Sequence, residues 1–250
     1  MRIFSLYILL LFLFFQGCVE KNIKTFNGNN IAINDEIKID SSILNFYTPY
    51  KNKLQEGLMN KPISYSMETY KKNDGVLNST LGNMFADATF ELINPIFNDK
   101  TGNSLDVVIL NNGGIRSIIS EGPVSEKTAF ELMPFENSIV VVKLKGKSIN
   151  KMIDYLAKVK LPHPIRGLEI VLSKEYEIES VLLRNNPIDE NKYYFVATTD
   201  YLLDGGDKMY FLAESAETTY LDYKMRDVLI DYFIKTDTLK LKTDNRFIIN

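Results

Sequence analysis

Two glycine-rich segments hold the residues best suited to chemistry in this chain. In Leu110-Asn111-Asn112-Gly113-Gly114-Ile115-Arg116, a short apolar run ends in paired glycines and an arginine. Glycines at a strand end admit positive φ and let a ligand approach backbone N–H groups. Taken alone, the same residues equally make a tight turn with an exposed arginine. Thr198-Thr199-Asp200-Tyr201-Leu202-Leu203-Asp204-Gly205-Gly206-Asp207 repeats the design as strand end, aromatic, glycine pair and carboxylate. Between them, Leu132-Met133-Pro134-Phe135-Glu136-Asn137 sets an aromatic directly after proline at the mouth of another predicted strand. If these loops converge, Phe135 and Tyr201 offer two faces to a flat ligand, each stack contributing roughly 1–3 kcal/mol. Asp207 then offers a carboxylate to sugar hydroxyls. That combination suits a nucleoside.

Composition closes other routes. The 29 Lys+Arg against 32 Asp+Glu give a net charge of −3, with no block of five like charges, which argues against a nucleic-acid surface. The single histidine, His163, lies between Pro162 and Pro164 and is expected in a solvent-exposed loop. One histidine cannot build a His-rich metal cage. One cysteine excludes an internal disulfide. There is no Gly-x-Ser-x-Gly elbow, and Asp204-Gly205-Gly206-Asp207 lacks EF-hand spacing. Gly146-Lys147-Ser148 has Val141 where a P-loop needs its first glycine, so it reads as a strand-to-helix turn. Glu175, Glu177 and Glu179 read as a solvated face. No residue is assigned a catalytic or metal-binding role.

The elements that must position these loops begin after an address. Arg2, the apolar run Ile3–Phe15 and then Gln16-Gly17-Cys18 have the order of an export signal, and the run is too short for a spanning helix. Phe15-Gln16-Gly17-Cys18 resembles a bacterial lipoprotein lipobox, which implies a signal peptide over 1–17 and lipidation at Cys18. An envelope tether is expected over 18–35, with an edge strand near 31–33, followed by one domain over 36–250. Within it, periodicity predicts helices over 43–59 (with a kink or restart at Pro49), 81–93, 125–133, 148–159 and 221–234. Strands are predicted over 63–66, 105–110, 138–144, 167–172, 180–184, 193–199 and 247–249. The alternation without repeats implies an α/β (mixed α+β) domain.

Together with Leu81-Gly82-Asn83-Met84-Phe85-Ala86-Asp87-Ala88, the three loop motifs resemble, in order, the signatures of the C-terminal, substrate-recognition domain of the 5'-nucleotidases. The resemblance spans most of 60–215 and implies that family's layered sheet-and-helix fold. It implies that Phe135 and Tyr201 sandwich the base, Asp207 binds ribose hydroxyls, Asn111 contacts the base and Arg116 faces the sugar-phosphate side. Gly113 and Gly114 complete that substrate-binding set. Asn111 remains readable as a turn residue, and Asn83 and Asp87 as a helix-end hydrogen-bond pair. Leu77 stands where family members often carry a phosphate-contacting Arg.

The family's dinuclear metal motifs (Asp-x-His, Gly-Asn-His-Asp and His-x-His) are absent from this sequence. The resemblance therefore implies no cofactor in this chain, with divalent metals expected only in a separate metallophosphatase partner. The expected role is nucleotide catabolism: recognition of an AMP- or adenosine-like ligand by a lipid-anchored protein at the periplasmic or surface face of a bacterial envelope, without nucleic acid. Two alternatives stand beside it: a non-catalytic nucleoside-binding lipoprotein, and a relic domain kept for protein contacts.

Overall fold

The computed structural model describes residues 28–54 and 61–250, which leaves the expected signal peptide over 1–17 and Cys18 outside the described residues. The chain divides between Tyr47 and Thr48 into two units. The elements run α1 (Ser41–Leu54), β1 (Ser64–Ser66), α2 (Thr80–Thr101), β2 (Val107–Ile109), β3 (Gly122–Val124), α3 (Glu126–Leu132), β4 (Ser138–Lys145) and α4 (Gly146–Val159). They continue as β5 (Ile165–Arg166), β6 (Leu168–Leu172), β7 (Ile178–Leu183), β8 (Tyr193–Thr199), α5 (Asp200–Leu203), β9 (Thr218–Lys224), α6 (Met225–Lys235), β10 (Thr238–Leu239) and β11 (Phe247–Ile249).

In the second unit, a five-stranded sheet of order β5-β2-β8-β4-β9 separates two hydrophobic cores. Side chains alternate across a strand, so each central strand feeds both cores. Val108, Ile139, Val141 and Ala197 face the core built with α2, α3 and α6. Val107, Ile109, Val142, Leu144 and Val196 face the core built with α4 and the small sheet β11-β6-β7. The expected apolar stripe of α4 lies inside that second core as Ile149, Met152, Ile153 and Leu156. Each such side chain contributes roughly 1.5–3 kcal/mol on burial. A third sheet, β10-β1-β3, brings Leu239 and Val124 to the first core.

Several predicted elements differ. Residues 31–33 form no strand, and no partner strand lies beside them among the described residues. Asp40 caps α1 by accepting from the backbone N–H of Ser42 at 2.8 Å. The helix then runs through Pro49 without restarting, at the cost of one intrahelical bond. The last residues of the predicted helix 43–59 fall outside the described set. α2 passes Pro95 and ends only at Gly102, whose φ of +73° lets its N–H close on the Asn98 carbonyl at 2.7 Å. The predicted helix 221–234 is wrong in its first turn, because Thr218–Lys224 is the edge strand β9 on β4. Its register slips between Ser138 and Val140, and Asp222 takes φ +52°, so a local bulge lets the strand follow β4.

Candidate functional site

Strand direction gathers the site. β2 runs parallel to β8 (Val107 opposite Val196), and β4 runs antiparallel to β8 (Ile139 opposite Thr199). The C-terminal ends of β2 and β8 and the N-terminal end of β4 therefore share one edge of the sheet. The loops at 111–116, 135–137 and 200–207 leave from that edge. Asn111, Gly113, Gly114, Arg116, Phe135, Tyr201 and Asp207, the seven residues expected from sequence, line one cavity of about 250 Å³. Asn137 also lines it and was not among them, although it stands two residues from Phe135 in the same motif.

Phe135 is 41% and Tyr201 43% exposed, so both rings keep a face available instead of joining the core. Arg116 holds its guanidinium 5.8 Å from the Phe135 ring centroid, and its Nη1 donates to the Gly113 carbonyl at 3.4 Å. Gly206 is obligatory where Tyr201 turns back, since a Cβ there would lie 2.4 Å from Tyr201 Cε1. Asp207 follows in the left-handed region at φ +50°. Its Oδ2 accepts from Asn111 Nδ2 at 2.7 Å and its Oδ1 from the Tyr201 hydroxyl at 3.1 Å. That carboxylate's hydrogen bond, then its charge, raises the Tyr201 phenol above its ordinary pKa. From α4, the Tyr155 hydroxyl donates to the Asp207 carbonyl at 2.9 Å. Burial, then the charge of Asp207, raises the Tyr155 phenol.

His163 corrects its expectation. It is only 3% exposed, because Pro162, Pro164 and Ile165 are buried with it beneath the 111–114 loop. Its Nδ1 accepts from the backbone N–H of Asn112 at 3.2 Å. Asn83 and Asp87 are also structural, though not as a pair. Asn83 Nδ2 donates to Asn78 Oδ1 and to the Lys242 carbonyl, both at 3.2 Å. Asp87 instead accepts from Arg166 at 3.0 Å and Arg246 at 3.1 Å. Leu77 is a core residue, 2% exposed.

A larger cleft of about 540 Å³ lies around Arg166, Arg184 and Arg246. These guanidiniums are ion-paired with Asp87, Asp106 and Asp244, so the cleft offers an anion no uncompensated charge. The smaller cavity, with two free ring faces and convergent polar groups, is the better ligand site. Among the described residues, no group of three or more His, Cys, Asp or Glu side chains could hold a metal ion, and His163 has committed its Nδ1 to a backbone N–H. These residues do not fit a dinuclear metal centre. No helix among the described residues is long and apolar enough to cross a membrane.

Residues 59–214 match the family model described as the 5'-nucleotidase, C-terminal domain. An apyrase of Aedes albopictus is 26% identical over 260 residues, covering 95% of this chain and 44% of that protein. Protein UshA of Escherichia coli (strain K12) is 30% identical over 115 residues, covering 44% of this chain and 20% of that protein. The crystal structure of a 5'-nucleotidase precursor from Thermus thermophilus shares the fold, with a TM-score of 0.69 at 20% identity over 84% of this chain and 42% of that one. The chain thus spans less than half the length of these relatives.

Proposed function

We propose, from the premise that this chain belongs to the 5'-nucleotidase C-terminal domain family, that it is the nucleoside-recognition part of a nucleotide-hydrolysing system in a bacterial envelope. The observation that carries this is the convergence of Phe135, Tyr201, Asn111 and Asp207 on one cavity. In this reading a purine enters between the two rings. The ribose hydroxyls then donate to Asp207, replacing the Asn111 amide and the Tyr201 hydroxyl. Arg116, beside Phe135, faces the phosphate end. Phosphate release belongs to a metallophosphatase on a separate chain, because the residues here do not suit two metals. Lipidated Cys18 holds the protein at the periplasmic or surface face.

A second reading, a nucleoside-capturing lipoprotein without an enzymatic partner, is favoured by one observation. Leu77, at the position the resemblance gives to a phosphate-contacting Arg, is sealed in the core. Calorimetric titration with adenosine and AMP, with phosphate release followed in the presence of divalent metal, separates the two. The first reading expects AMP to bind without release, and release to begin when the metallophosphatase is added. Adenosine binding at least as tightly as AMP, with no partner effect, would favour capture. No heat from either ligand would sink both.

A further inference from the structure

The Asn111–Gly114 side of the cavity is held from beneath by a segment outside the sequence motifs. Asn112 turns inward, donating its side-chain amide to the Pro162 carbonyl at 3.2 Å and to the Lys72 carbonyl at 3.3 Å. Its backbone N–H lies 3.2 Å from His163 Nδ1, which accepts from it when the neutral imidazole carries its proton on Nε2; the Leu110 carbonyl lies 3.3 Å from the same nitrogen. That Nε2 is buried and has no hydrogen-bond partner among the described residues. A buried polar atom left unpaired is costly, so the ring is retained here for what its other nitrogen does. Asn111, one residue along the same turn, carries the amide that meets Asp207.

We propose that His163 is a positioning residue for the cavity: its neutral Nδ1 holds the Asn112 N–H, sets Asn111 against Asp207, and makes ligand affinity depend on the imidazole remaining unprotonated. The ligand in this inference rests on the nucleoside reading above. A proton on Nδ1 would face the Asn112 N–H donor to donor and turn to the Leu110 carbonyl instead, giving up the Asn112 bond on that side of the turn. Burial keeps the imidazole below its ordinary pKa, opposed by the Leu110 carbonyl 3.3 Å away and by the charge of Asp207. The titratable groups facing the ring are Tyr155 of α4, 5.7 Å between centroids, and Asp207 of the 206–208 turn. Lys72 reaches the Asn112 and Ile115 carbonyls, on the loop. Because the folded pKa is depressed, the hold persists through the ordinary histidine value near 6.5 and is given up only as pH falls through the lower folded value.

The test uses the full chain with His163→Asn, which keeps an acceptor near Nδ1, and His163→Leu, which removes it. Adenosine affinity is measured from pH 7.5 to pH 5. The wild type should keep its affinity down to about pH 6.5 and weaken below it, and His163→Asn should match it at pH 7.5 and stay flat. His163→Leu should bind about tenfold more weakly throughout, the worth of one lost hydrogen bond with its desolvation. A flat wild-type profile, the same slope in His163→Asn (which would assign it to Asp207), or wild-type affinity in His163→Leu would each overturn the inference. Should the wild type bind no adenosine, the nucleoside reading fails, and hydrogen exchange of the Asn112 amide decides the positioning alone. Protection in the wild type and His163→Asn but not in His163→Leu supports it, and equal protection in all three overturns it. Should His163→Leu not fold, the wild-type and His163→Asn profiles still decide.

Discussion

Asp207 already holds two side-chain hydrogen bonds before any ligand arrives, one from Asn111 and one from Tyr201. On the nucleoside reading, a ribose would exchange partners at this carboxylate instead of adding new ones, so the net gain there would be small. Most of the affinity must then come from the two rings. Phe135→Ala should weaken adenosine binding by roughly 1–3 kcal/mol. Tyr201→Phe, which keeps the ring, should cost far less than Tyr201→Ala. Calorimetry checks both, and equal losses from Phe and Ala at position 201 would mean that the ring does not stack. Phe135, Tyr201 and Asp207 were readable in the sequence because proline and glycine pairs punctuate strand ends. His163 was not, because its burial depends on the Asn112 turn, 51 residues away in sequence.

The loop bearing Phe135 is fastened where β9 meets α6. Glu136 accepts from Lys224 Nζ and Arg226 Nη2, and the Met225 N–H donates to the Asn137 carbonyl at 2.9 Å. The hydrogen bonds from Lys224 and then Arg226 hold the Glu136 carboxyl down at about 2 against an ordinary 4.5. A depressed carboxylate contributes its hold above the ordinary value and loses it only as pH falls toward the folded one. Glu136→Gln should therefore weaken nucleoside binding to the same extent at pH 5 and pH 8, and added salt should narrow the gap from wild type. A difference confined to low pH would contradict this.

In the Gly-Asn helix, a Cβ on Gly82 would lie 2.9 Å from Ser79 Oγ and 3.4 Å from the Pro162 carbonyl. Gly82→Ala should thus displace the Ser79 hydroxyl that caps α2 and lower stability by about 1 kcal/mol, as thermal unfolding would detect, while leaving adenosine affinity unchanged. β9 escaped the sequence reading because Leu221, Met225, Val228 and Leu229 also fit a helical stripe. Pairing with β4 through the bulge at Asp222 decided otherwise. α2 outran its expected end because one proline removes one bond, while Ile93 and Phe97 stay fully buried on either side of it.

For the whole molecule, the unbroken apolar runs of β2 and β4 announce a sheet covered on both sides, and the order of motifs announces the family. What the sequence conceals is which residues meet across long separations. Leu77 is one example, since it is buried in the same core as Phe247 of the last strand, far along the chain. The proposed anchor has its own test: Cys18→Ala should move the protein from the membrane fraction to the soluble one, and retention would mean that another feature holds it.

The cavity walls come from the ends of three central strands, so the site exists only where those strands are paired in the sheet. Ligand bound there stabilises the sheet as one cooperative body, by about 2.7 kcal/mol at a hundredfold excess over Kd. Opening to a protease becomes rarer by the same factor. If the protein resides in a protease-containing envelope, as proposed, its lifetime there is tied to the supply of its own ligand, with starved molecules cleared first.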